Sequence, residues 1–331
     1  MTASQPLPWS QQFLDRRFEG GLVDLLEAVG GLNAQTARGP LVGIWARIGP
    51  WDPKTLDELC RTFQVVKINV MRGTVHLLTA RQYWAWRPAL RTVLRRNVAS
   101  FCRGIWDSVD YEDLLSWGTD FVSDGRQVTR GDLADAASQR FAYRDPAHVG
   151  FALRMILPLV EVPSAAMWSP ARTRYVYAPS VCDGQPMSTE DGLADLARCF
   201  ASAFGSSSVD DFAYWSGMTK TEAAVQAEVL AEAVTTASDQ GPGPTTVLPE
   251  FDNIYFCRRS SDSALYQAKK DRRLDPARMP GSLLSRGTVV AHWKSTQQRG
   301  LQLTPWADLD APTRSVWEDF AGWYGDQDAS R

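Results

Sequence analysis

Three observations predict a mainly α fold with β, built from tandem winged-helix (helix-turn-helix) units and followed by a C-terminal β-rich, barrel-like domain. Segments of helical periodicity are followed by paired extended runs, and this plan recurs at intervals of roughly 70–90 residues. The run Ser238-Asp239-Gln240-Gly241-Pro242-Gly243-Pro244 is the clearest breaker in the chain and divides the helix-rich part from a segment dominated by extended runs. A chain of 331 residues also exceeds the usual size of one hydrophobic core, so several smaller cores are expected. The divisions predicted are residues 1–104, 105–185 and 186–245 for three helical units and 246–331 for the β-rich domain.

The first dozen residues, with Pro6 and Pro8, read as a loosely ordered arm. A helix from Phe18 to Val29 follows, with Leu22, Leu25, Leu26 and Val29 on one face, and Gly30-Gly31 has the character of its C-terminus. This places Asn33 and Gln35 at a helix end or in a tight turn. Leu41, Ile44, Trp45 and Ile48 form a second apolar helical face, and Asp52-Pro53 opens a third helix that buries Leu56, Leu59 and Phe63. The β-branched runs Val65 to Val70 and Val75 to Leu78 flank Arg72-Gly73-Thr74 and predict a hairpin. Three helices and a hairpin make a winged helix.

Thr79 caps a helical stretch that Pro88 should bend or restart. In the second unit Thr129 is the cap of a helix within residues 111–143, another helix follows Pro146, and Leu159 to Val162 with Arg174 to Tyr177 form a second hairpin flanking Trp168. The third unit comprises helices over Leu193 to Phe204, Val209 to Trp215 and Thr219 onward, with Ser216-Gly217-Met218 as a turn. Strands are expected at Val247 to Phe256, Gly287 to Trp293 and Leu301 to Thr304, and a closing helix at Pro312 to Tyr324.

The formal charge of −3 hides an uneven distribution: residues 1–104 hold 14 Lys/Arg against 7 Asp/Glu, residues 105–250 hold 9 against 21, and residues 251–331 hold 12 against 10. Nucleic-acid binding depends on a local basic surface, so the net charge does not exclude it; uneven solvation of surface helices gives the same pattern. Arg72 and His76 lie on the predicted hairpin, where they either touch a phosphate backbone or settle within a packed hairpin. Arg87, Arg91 and Arg95 recur every four residues, which puts three guanidinium groups on one helical face. Lys269, Lys270, Arg272 and Arg273 belong to a basic loop that reads as a phosphate-facing arm or as a solvated surface loop.

Other chemistries are not encoded. Five cysteines without a CxxC pair argue against a disulfide framework or zinc module, and His76, His148 and His292 have no metal-ligand spacing, so no metal or other cofactor is expected. There is no GxSxG elbow, phosphate loop or dinucleotide fingerprint. The absence of a long apolar run and of a basic-then-apolar leader places the chain in the cytoplasm, away from membranes. What remains is the carboxamide pair. Asn and Gln do not titrate near neutrality, so they donate and accept hydrogen bonds and their chemistry is limited to positioning. Side chains that merely close a turn would look the same.

In order and spacing, Gly30-Gly31-Leu32-Asn33-Ala34-Gln35, Gly43-Ile44-Trp45-Ala46-Arg47, Met71-Arg72-Gly73-Thr74-Val75-His76-Leu77 and Arg87-Pro88-Ala89-Leu90 resemble the AlkZ/YcaQ-like DNA glycosylases, a bacterial family built from winged helices. The resemblance continues through Leu157-Pro158-Leu159-Val160-Glu161 and Asp211-Phe212-Ala213-Tyr214-Trp215 to Leu248-Pro249-Glu250-Phe251-Asp252-Asn253. It implies a monofunctional glycosylase that hydrolyses the N-glycosidic bond of cationic N7-alkylguanine-type lesions, including bulky adducts of DNA-alkylating natural products, in repair or self-resistance. The implied partner is double-stranded DNA carrying alkylated purines, bound by a monomer in the nucleoid. By the family pattern Gln35 positions the water and Asn33 supports it, although the family usually has Gln where this chain has Asn33. The chemistry agrees: a ring-alkylated base is already cationic and leaves neutral without a general acid, so a carboxamide that orients water is adequate. The alternative is a winged-helix transcriptional regulator without catalysis.

Overall fold

The computed structural model describes residues 7–163, 173–206, 208–234, 243–258, 280–296, 300–306 and 308–329. Helices predominate, with three small antiparallel sheets between and beside them. The expected loose arm is packed from residue 7 onward: Leu7, Trp9 and Leu14 are buried, and the buried Gln12 donates to the carbonyls of Val29 (3.3 Å) and Ala203 (2.8 Å). An indole and leucines bury enough apolar surface to order a short segment that its prolines alone would leave open.

The first unit runs α1 (Leu22–Ala28), β1 (Leu32–Asn33), α2 (Gly39–Ile48), α3 (Lys54–Arg61), β2 (Val65–Asn69) and β3 (Val75–Thr79). Its sheet has the order β1-β3-β2. The carboxamide motif therefore lies on and just beyond a short strand, not in a turn as the glycines suggest. Gly30 and Gly31 supply the positive φ angles (78° and 74°) that swing the chain from α1 into β1. Gly31 is also a steric requirement, since a Cβ there would sit 2.4 Å from Leu78 Cδ2 and 2.9 Å from the Leu77 carbonyl of β3. α3 stops at Arg61, so Phe63 lies beyond it in a left-handed conformation and is half-buried.

Thr79 caps α4 (Ala80–Ala89) in a reciprocal pair with Gln82, and Pro88 ends that helix before α5 (Arg91–Phe101) begins. After the short α6 (Ile105–Ser108), a second unit runs α7 (Tyr111–Val122), α8 (Arg130–Ser138), α9 (Pro146–Ile156), β4 (Leu159–Glu161) and β5 (Tyr175–Tyr177). Val128, just before α8, pairs with Tyr175. The order helix, short strand, helix, helix and hairpin is thus used twice. The two units join through partly buried polar bonds, among them Lys67 of β2 to Glu161 of β4 at 3.0 Å and Arg154 of α9 to Asn69 of β2 at 2.6 Å.

The third unit consists of α10 (Thr189–Phe204), α11 (Val209–Ser216), α12 (Lys220–Ala224) and α13 (Ala227–Ala233), and α10 packs along α4. Phe200, Phe204, Phe212 and Trp215 form its fully buried aromatic centre. The C-terminal sheet orders β6 (Thr246–Leu248), β7 (Gly281–Ser285), β8 (Thr288–Thr296) and β9 (Gly300–Pro305) in a meander, followed by α14 (Ala311–Ala329). The expected barrel is corrected: among the described residues the sheet is open, with β6 and β9 at its edges, and α14 covers β6 and β7. The expected strand over Val247 to Phe256 ends at Leu248, because Pro249 and the left-handed Phe251 turn the chain into a single 3-10 turn over Asn253–Tyr255. Of the expected breaker run from Ser238 to Pro244, residues 238–242 lie outside the described residues, as does Trp168, while the Pro244 carbonyl accepts from the Gly287 N–H at 2.7 Å.

The loop after β6 is bolted to the first unit. Arg47 of α2 and Asp252 are fully buried and joined by two bonds of 3.0 and 3.2 Å, while Arg47 also donates to the Gly43 carbonyl and to Gln12. Breaking such a pair leaves an uncompensated buried charge, so Arg47→Met should cost about 3–5 kcal/mol. Urea unfolding is expected to show that loss, and the Arg47→Met/Asp252→Leu double variant is expected to recover most of it.

Candidate active site

The site is assembled by main-chain pairing first. Asn33 of β1 stands opposite His76 of β3, so their side chains share one face of the sheet, and the Ala34 N–H donates to the Val75 carbonyl at 2.8 Å. After Ala34 the chain bends away toward α2. Across the bend Asn33 Nδ2 donates to Gln35 Oε1 at 2.9 Å, and the Gln35 N–H donates to Asn33 Oδ1 at 3.0 Å. Asn33 is 5% exposed whereas Gln35 is exposed. The buried carboxamide therefore fixes the orientation of the exposed one. The Gln35 oxygen keeps an acceptor position for water, which is what positioning chemistry requires.

His76 is fully buried. Its Nδ1 lies 2.9 Å from the Thr74 carbonyl, which makes Nδ1 the protonated nitrogen, and its Nε2 accepts from Arg72 at 3.4 Å. Burial and the adjacent Arg72 charge push the imidazole down to about 3. The neutral ring is buried within the sheet. Arg72 sits at the hairpin tip with φ 55°, donates to the Trp215 carbonyl of α11, and lies 4.5 Å from the centre of the Phe256 ring. Both residues expected on DNA are thus turned inward, because the hairpin tip packs against α11 and α5 instead of projecting as a free wing.

The predicted arginine face is also divided. Arg87 is buried and donates to the carbonyls of Met155 (2.5 Å) and Leu157 (2.7 Å) in the second unit. α4, which contains Pro88, ends at Ala89 and α5 begins at Arg91, and Arg87 falls on the buried side of this junction while Arg91 and Arg95 do not. Arg91 and Arg95 share α5 and are exposed, with the Arg95 guanidinium 4.6 Å above the Tyr111 ring. Lys269, Lys270, Arg272 and Arg273 lie outside the described residues.

Three residues of the loop after β6 belong to the site although no sequence pattern gave them a role. Asn253 is fully buried and its Nδ2 donates to the Gly31 carbonyl at 2.7 Å. Asp252 holds Arg47, and the Glu250 carbonyl oxygen lies 3.9 Å from the position a Cβ on Gly39 would take, at the start of α2. Burial raises the Glu250 pKa above its ordinary value. The available signal was a charge set inside an apolar run, one in Ile44-Trp45-Ala46-Arg47 and two in Leu248-Pro249-Glu250-Phe251-Asp252. Among the described residues no cluster of His, Cys, Asp and Glu is arranged to hold a metal ion, and no helix is long and apolar enough to cross a membrane.

An exposed carboxamide oriented by a buried second one is an arrangement able to hold a water molecule in place. The profile of the AlkZ-like DNA glycosylases matches residues 26–325, and the chain belongs to that family. By class it is a DNA glycosylase. The fold is similar to that of the DNA glycosylase AlkZ of Streptomyces sahachiroi, with a TM-score of 0.70 over 96% of this chain and 94% of the other at 17% identity. No curated protein sequence matches the chain.

The His76 environment has a measurable consequence. Between its ordinary 6.5 and about 3 the unfolded chain binds a proton that the folded chain refuses, so this contribution to stability is full above the upper value and is lost as pH falls toward the lower one. Urea unfolding over a pH series is expected to show a weaker pH dependence in that window for His76→Gln than for the wild type. An unchanged slope would mean that His76 titrates normally.

Proposed function

We propose that the protein hydrolyses the N-glycosidic bond of cationic N7-alkylguanine-type lesions in double-stranded DNA, with Gln35 orienting the attacking water and Asn33 holding Gln35. The observation that carries this reading is the Asn33–Gln35 bond, which leaves a preoriented acceptor on an exposed bend. An alkylated N7 makes the base a cation, so the C1′–N9 electrons leave with it to give a neutral base and an oxocarbenium-like sugar. The carboxamide dipole and its bound water then meet the sugar cation. A neutral, unmodified base departs poorly without protonation, so the same site should leave normal guanine intact.

The exposure of Gln35 favours a lesion met at the surface of the duplex, which suits bulky adducts of DNA-alkylating natural products and a role in self-resistance or repair. The first two units have the element order and strand pairing of winged helices, and we read them as such, acting in a monofunctional monomer. Arg91 and Arg95 of α5 are the arginines of the predicted face that remain exposed, and they are assigned to the phosphate backbone.

Gln35→Ala is expected to lower single-turnover formation of abasic sites on N7-methylguanine duplex by roughly two to three orders of magnitude, with melting temperature and duplex affinity nearly unchanged. Wild-type rates in the folded variant would assign the motif a structural role. Replacing Arg91 or Arg95 by Gln should weaken binding of all duplex sequences and reduce the salt slope by about one for each phosphate that is no longer neutralised. Binding titrations over a salt series check this, and a slope unaffected by either substitution would remove α5 from the interface.

A further inference from the structure

β1 consists of Leu32 and Asn33, and a strand shorter than the usual range presents its side chains in a fixed direction only if both of its ends are held. The exit is held by the Ala34 N–H, which donates to the Val75 carbonyl at 2.8 Å. The entry is Gly31. Its N–H closes the end of α1 on the Leu26 carbonyl at 2.8 Å, and its own carbonyl accepts from Asn253 Nδ2 at 2.7 Å. Asn253 is fully buried, and its Oδ1 has no partner among the described residues. That unpaired end costs free energy that an apolar side chain of similar shape would avoid. What the amide supplies in return is the donor to Gly31.

The turn that carries Asn253 is anchored independently of it. Asp252 is bonded to Arg47 and accepts from the Ile254 N–H at 3.0 Å, and the Tyr255 hydroxyl donates to Ser282 of β7 at 2.6 Å. On both sides of Asn253 the same loop lies along the motif. A Cβ placed on Gly43 would be 3.4 Å from a Leu32 methyl and 3.7 Å from Pro249 Cγ, and one placed on Gly39 would be 3.6 Å from the Asn33 carbonyl oxygen and 3.9 Å from the Glu250 carbonyl oxygen. Phe256, whose N–H donates to the Asn253 carbonyl at 2.9 Å, packs its ring against the Arg72 guanidinium, and Arg72 in turn reaches His76, which stands opposite Asn33.

We infer that Asn253 is a positioning residue for the hydrolysis: by holding the Gly31 carbonyl it sets where β1 begins, and so the direction in which Asn33 presents the Gln35 oxygen. The inference rests on the proposed reading of Gln35. Because Asn253 is fully buried, it acts through the main chain and not on the lesion. The path is short, from Asn253 to Gly31, along β1 to Asn33, and across one side-chain bond to Gln35. Gly31 has no side chain to restrain its peptide, so the bond to its carbonyl supplies the restraint. Releasing it lets Asn33 shift against His76, and a misplacement of about 1 Å at a reacting group can cost about 100-fold in rate.

The test is single-turnover abasic-site formation by the full chain on a duplex containing one N7-methylguanine, with the rate at saturating protein and the duplex affinity measured separately. Asn253→Ala and Asn253→Leu both lack the donor, and each is expected to lower the rate by about 10-fold to 100-fold while leaving the affinity unchanged. Asn253→Leu also removes the unpaired Oδ1 and keeps the volume, so it should melt close to the wild type and gives a second route if the alanine variant fails to fold. A double-mutant cycle with Asn33→Ala separates positioning from a structural role. In that background Gln35 has already lost its guide, and Asn253→Ala should lower the rate by less than about twofold. An equal fall in both backgrounds overturns the inference, and so does a folded Asn253 variant with the wild-type rate. A parallel loss of rate and affinity overturns it as well, by assigning Asn253 to the shape of the DNA-binding surface. These results leave the glycosylase reading intact. That reading fails, and the inference with it, if the wild type forms no abasic sites or if folded Gln35→Ala forms them at the wild-type rate.

Discussion

The burial of Arg47 and Asp252 constrains the rest of the site. Removing both charges from water is costly, and the cost is met only where the geometry is complete. Here it is: two bonds join the ions, and the Gly43 carbonyl and Gln12 take further guanidinium donors. The arrangement requires the N-terminal segment, α2 and the loop after β6 to come together. Once Asp252 is fixed, Asn253 reaches the Gly31 carbonyl. An ion pair between residues far apart in sequence thus sets the conformation of the short stretch that carries Asn33 and Gln35.

Beneath that stretch the sheet supplies rigidity through neutral and internally satisfied groups. His76 opposite Asn33 is kept uncharged by burial and by Arg72, and Arg72 is itself held by Trp215 and Phe256. The hairpin tip is a joint between the first and third units. Arg87 makes a comparable joint with the second unit through two main-chain carbonyls. Arginines that look like a nucleic-acid surface in one dimension are therefore divided between structural joints and exposed positions. Only the exposed ones can answer to phosphate.

Local chemistry made much of the fold legible. Thr79, Thr129 and Thr219 are all helix caps with reciprocal partners three residues on, and both hairpins of the first two units follow their β-branched runs. The carboxamide pair was legible from residue type, while its setting was not: β1 is only two residues long, and its pairing with β3 depends on Gly31 allowing a close approach. Arg87 misled because helical spacing was extended across Pro88. The N-terminal segment and the charged residues Arg47 and Asp252 were opaque for another reason. Their partners lie far away in sequence, and no periodicity reports such pairings.

On the proposed reading, the preoriented Gln35 carboxamide meets the positive charge that develops on the sugar, and it should bind a mimic of that charge more tightly than a neutral one. The most direct measurement compares affinity for two otherwise identical duplexes, one with a cationic pyrrolidine at the abasic position and one with a neutral tetrahydrofuran. The wild type is expected to prefer the cationic duplex by about tenfold or more, and Gln35→Ala should lose most of that preference. Equal affinity for the two duplexes, or a preference untouched by Gln35→Ala, would contradict the placement of Gln35 against the sugar.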